Sequence, residues 1–140
     1  MKESTYKKHI ISLFILYLFY YNLPFLWPFI YSQETQAFLE YSGTRSLIGI
    51  SGIFVYLIPA MYLAICCGLY FFSLYAKWIF TVWVLSNAIF GSVLFGYSAS
   101  AYIDTSLGYI IALLEGAVLT IIHFSATSKR FLDSTNHSNT

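Results

Sequence analysis

The chain has 140 residues, of which 59% are hydrophobic, 21% aromatic and only 9% charged, and its formal net charge is +1. A water-soluble domain carries about 25% charged residues to hydrate its surface. This composition, with a mean hydropathy of +0.70, therefore excludes an ordinary soluble globule, and the near-neutral balance gives no electrostatic case for nucleic acid or an acidic substrate.

Four apolar stretches, at 10–30, 47–69, 78–97 and 106–125, approach or exceed the roughly 20 residues that cross a hydrocarbon core. They predict an all-α integral membrane bundle of four transmembrane helices occupying 1–132. The polar tail at 133–140, DSTNHSNT, is expected to be disordered.

The first stretch follows a basic start, MKESTYKKH, but it is long and lacks a small-x-small cleavage site. It reads as a retained helix rather than a leader. Pro24 and Pro28 remove backbone donors near its far end and predict kinks there. In the connection that follows, Ser32 can cap a short helix ending near Gly43, with Ala37, Phe38 and Tyr41 on one face against the membrane surface. An irregular loop is the alternative.

Small residues recur every four positions in the second stretch at Ala60, Ala64 and Gly68, with Gly52 earlier in the same register. The fourth stretch repeats the pattern at Gly108, Ala112, Gly116 and Thr120, and the third carries Asn87 and Gly91. Lipid tails are as apolar as leucine, so helices associate where small side chains let backbones approach. The stripes predict close helix contact, within one chain or between copies. Pro59 predicts a kink in the second span. Cys66 and Cys67 are adjacent and point about 100° apart on a helix, so they read as small core residues.

Basic residues resist translocation and set orientation. If four helices alternate, Lys2, Lys7, Lys8, Lys77, Lys129 and Arg130 share one side, and only Arg45 lies on the other, with Glu34, Glu40 and Asp104. Both termini are therefore expected in the cytoplasm. Trp27, Tyr31, Tyr97 and Tyr102 then fall at the outer interface, and Tyr70, Tyr75 and Trp78 at the inner one.

Glu115 is nine residues past Ser106, about 14 Å into the membrane. A carboxyl at that depth is costly and faces a protein interior or a wet cavity. Asn87, near the middle of the preceding helix, reaches similar depth and is the expected partner. Glu115 is then either a protonated, hydrogen-bonded staple or a group that binds a proton, a cation or a polar partner. His9, His123 and His137 are scattered, and no span carries paired acidic or His-x-x-x-His spacing. The chain thus offers no catalytic residues, metal site or cofactor motif. Asp104, just before Ser106, reads as a helix cap.

The segment 114–131, LEGAVLTIIHFSATSKRF, resembles the closing helix of small uncharacterised bacterial four-helix inner-membrane proteins. The match rests on Glu115, Gly116, Phe124, Ser125, Arg130 and Phe131, and that group implies no activity. The resemblance implies a location in a bacterial inner membrane. In size and layout the chain is also similar to membrane immunity proteins that neutralise pore-forming toxins. Small multidrug transporters likewise have four helices and one membrane carboxylate, but theirs is in the first helix and Glu115 is in the last. The expected function is non-enzymatic contact within the bilayer with another membrane protein or a toxin, as an immunity protein or accessory subunit. The alternative is a small proton- or cation-linked transporter, a homo-oligomer built around Glu115.

Overall fold

A computed structural model describes residues 3–40, 54–94 and 99–136. Every regular element among them is helical. Long α-helices run over Glu3–Asn22 (α1), Phe54–Tyr70 (α4), Leu74–Leu94 (α5) and Tyr102–Phe124 (α6). Shorter ones are Trp27–Ile30 (α2), Gln33–Leu39 (α3) and Ser128–Asn136 (α7).

Three segments, Glu3–Ile30, Leu74–Gly91 and Tyr102–Phe124, are long and apolar enough to cross a membrane. The remaining apolar helix, α4, is shorter, at 17 residues. Positions 47–53 of the expected second span lie outside the described residues, as do Tyr41, Gly43, Arg45 and Tyr97.

Proline shapes the local structure of the first segment. The backbone tightens into a 3-10 turn at Leu23–Leu26, with Pro24 at its start, and resumes as α2 with Pro28 in its first turn. The missing amide of each ring falls where a helix start leaves donors unpaired anyway. Ser32 then caps α3, its side chain accepting from the Thr35 amide at 3.4 Å. This short helix keeps Leu39 buried and leaves Phe38 exposed.

α1 lies against both α4 and α6, and α4 packs on α5. Their shared core holds Tyr6, Ile10 and Leu13 of α1, Tyr62, Cys66 and Leu69 of α4, Phe80 of α5, and Val118 and Ile122 of α6. One glycine is demanded by that packing. A Cβ on Gly68 would sit 2.5 Å from the Ala76 Cβ, so only glycine lets α4 and α5 approach this closely where they join.

The α4–α5 turn has an unusual end. The Phe72 amide donates to the Leu69 carbonyl and the Ser73 amide to the Gly68 carbonyl, the paired bonds of a Schellman motif. The position that usually holds glycine is Phe72, with φ of 58°. Its ring repays that strain by stacking on Tyr6 at 5.2 Å and meeting Phe131 edge-on at 5.4 Å.

The final described helix, α7, runs to Asn136, past position 133 where the polar tail begins, and positions 137–140 lie outside the described residues. The fully buried Phe131 docks α7 onto the bundle, and Lys77 holds it from α5 through a 3.1 Å bond to Ser128. The start of α1, the α4–α5 turn and α7 therefore share one end of the molecule. Glu3 pairs there with Lys7 at 2.8 Å and with Arg130.

Candidate functional site

At the opposite end, Asp104 occupies the first turn of α6 but does not cap it; the N-cap is Ala101, which has no side chain able to bond. Its buried carboxylate instead accepts from the Tyr31 hydroxyl at 2.6 Å and from the Trp27 indole at 3.2 Å. An acidic group there also suits the positive end of the helix dipole. Burial and the bond to Asp104 push the Tyr31 hydroxyl up to about 12, so it remains a donor at neutral pH. Sequence reasoning identified the aromatics as interface residues and missed this clasp, because nothing local pairs α2 with α6.

Glu115 lies midway along α6, 13 residues past Tyr102 and nine before Phe124, or about 20 Å and about 14 Å along the helix. Its Oε1 accepts a 2.7 Å hydrogen bond from the Tyr62 hydroxyl of α4. Tyr62 is fully buried. Its ring stacks on Tyr17 of α1 with centroids 3.8 Å apart, and Trp83 of α5 lies 6.1 Å away. Three helices therefore fix the donor that meets the carboxyl.

The expected pair with Asn87 does not form in this way. The Asn87 amide donates back to the Trp83 carbonyl one turn earlier, at 2.9 Å. Asn87 and Glu115 nevertheless face one cavity of about 360 Å³, together with Tyr17, Tyr20, Trp83, Gly108, Ile111 and Ala112. Asn87 and Glu115 thus border one cleft but have different hydrogen-bond partners. Tyrosine reaches further from its backbone than asparagine and arrives from a helix that the loop lengths do not make a neighbour of α6.

The packing residues divide. Gly68 is in close contact, whereas Ala60 and Ala64 face outward. On α6, a Cβ at Gly108 or Gly116 would meet nothing within 4 Å, and Ala112 is exposed. Among the described residues this stripe is an open face bordering the cleft.

His123 accepts or donates a 2.8 Å bond with Thr81 of α5 and takes no part in the cleft. Among the described residues no group of three His, Cys, Asp or Glu side chains is placed to hold a metal ion. Compared with known proteins, the chain matches no family model, no curated protein and no solved structure. Fold and site alone define it as an all-helical chain with three helices of membrane-crossing length and a polar cleft at their middle.

Proposed function

We propose that this is a non-enzymatic, four-span inner-membrane protein with both termini cytoplasmic, and that it works by contact with another membrane protein inside the bilayer. An immunity or accessory-subunit role is the concrete form of that reading. The observation that carries it is the cleft: a carboxyl and an amide at mid-helix depth line it beside a stripe of small residues that no other described residue covers. Small residues admit a second helix close to the α6 backbone, and intramembrane polar groups then find partners across that contact.

The shared end of α1, α7 and the α4–α5 turn supports the topology. Lys7, Lys77 and Arg130 gather there on aromatic rings: Lys7 lies 4.9 Å from the Tyr70 centroid, Lys77 5.6 Å from Phe131 and Arg130 5.9 Å from Phe72. A basic, aromatic end fits a cytoplasmic interface.

A second reading, proton- or cation-linked transport by an oligomer, is favoured by the half-exposed state of Glu115 in a cavity roomy enough for water. A photo-crosslinking residue placed at Ala112 and activated in native membranes tests the choice. The contact reading expects one discrete adduct with a different protein, and no such adduct from Met61, which is exposed on α4. Adducts with lipid alone from both positions would refute it, and an adduct with a second copy would favour the oligomeric transporter.

A further inference from the structure

Resting on that contact reading, we infer that the partner is a transmembrane helix carrying one lysine or arginine near its midpoint, which the cleft receives against Glu115 between the rings of Tyr17, Tyr20 and Trp83.

The carboxyl and the aromatic faces of the cleft favour positive charge. Among the described residues its polar groups are a carboxyl, an amide and two phenols, its remaining ring is an indole, and no basic side chain lines it. Aromatic faces attract cations through their quadrupoles, more strongly where water is excluded. Acidic groups in membrane spans pair with basic ones or with backbone carbonyls. Among the described residues no basic side chain meets this attraction. Lys7 and Arg130 pair with Glu3 at the terminal end, and Lys77 is committed there to Ser128.

A second copy offers no such charge from its described residues: the basic ones, at 7, 8, 77, 129 and 130, all lie outside the middle of the long helices. A bare metal ion fits poorly, because one carboxyl and one amide cannot replace its hydration shell. A side-chain cation held on an apolar stem brings its own helix to the open face formed by Gly108, Ala112 and Gly116. The small stripe and the acidic cleft are thereby explained by one occupant.

The test measures energy transfer between the full-length labelled protein and leucine-rich transmembrane peptides in phosphatidylcholine vesicles. The peptides carry lysine at the centre, lysine near one end, or leucine throughout. The centre-lysine peptide should associate more tightly than the other two by about tenfold, the scale of one intramembrane polar pair. Glu115→Gln keeps an acceptor for Tyr62 and should abolish the advantage. Ala112→Trp leaves Glu115 in place, fills the cleft, and should weaken all binding at the face.

Equal binding of the centre-lysine and leucine peptides, both weakened by Ala112→Trp, would overturn the charge pairing and leave the contact reading standing. Equal binding of the two lysine peptides would assign the effect to headgroup electrostatics and also overturn it. If no peptide binds while tetraethylammonium does so in a Glu115-dependent manner, the cleft is a small-cation site and both readings fail.

Discussion

At Glu115 the partner's chemistry determines what each substitution does. Glutamine presents a carbonyl oxygen to the Tyr62 hydroxyl, so Glu115→Gln should fold as well as the parent. Glu115→Leu leaves that buried hydroxyl unpaired and should lose about 1–3 kcal/mol, read as a lower midpoint of thermal unfolding in detergent. Equal stability of the two variants would mean that the 2.7 Å bond contributes nothing. Phe72 offers a second single-residue test. Its left-handed backbone costs about 1 kcal/mol for a residue with a Cβ, while its ring packs on Tyr6 and Phe131. Both Phe72→Ala and Phe72→Gly lose the ring, but only glycine relieves the backbone. The glycine variant should therefore be the more stable by about 1 kcal/mol. Tyr31 adds a pH signature. Its hydroxyl is raised in the folded protein, so its bond to Asp104 contributes fully below pH 10 and is lost as pH rises through about 12. Tyr31→Phe should be less stable than the parent at pH 8, and the difference should close by pH 12 in thermal unfolding.

Between elements, the decisive contact is α4 against α5. Gly68→Ala places a methyl 2.5 Å from the Ala76 Cβ and should cost about 1–3 kcal/mol through overpacking. Gly116→Ala meets open space and should change stability by less than about 0.5 kcal/mol. A detergent melt of both variants checks the contrast, and a tolerant Gly68 would mean that the two helices do not meet as described. These positions also show how far sequence could go. The apolar runs were legible because length and hydropathy alone set a span, and Ser32 announced the start of α3 because its hydroxyl sits just ahead of the helix. The use of the small residues was not legible. Gly68 and Gly116 follow the same four-residue spacing, and only the actual neighbours make one a contact and the other an open face. α7 was missed because Phe131 is a single large apolar residue in a polar run, a weak periodic signal that gains meaning once Tyr6 and Phe72 surround it. Pairings across helices, Tyr62 with Glu115 and Tyr31 with Asp104, depend on which elements are adjacent, and that information is spread over the whole chain.

For the whole molecule, intramembrane contact at Glu115 requires that the cleft lie within the bilayer, closed to water from both sides, with the basic aromatic end in the cytoplasm. Its two clasped ends bracket that cleft: Asp104 with Trp27 and Tyr31 at one, and Glu3 with Lys7 and Arg130 at the other. A membrane-impermeant maleimide applied to intact cells reads all three depths at once, using single cysteines at Gln36, Ala112 and Lys129 in a chain whose Cys66 and Cys67 have been replaced by alanine. Gln36→Cys should be labelled in intact cells, Lys129→Cys only after permeabilisation, and Ala112→Cys only once detergent has dissolved the bilayer. Labelling of Lys129→Cys in intact cells would contradict the topology, and labelling of Ala112→Cys from either aqueous side would contradict an intramembrane contact cleft.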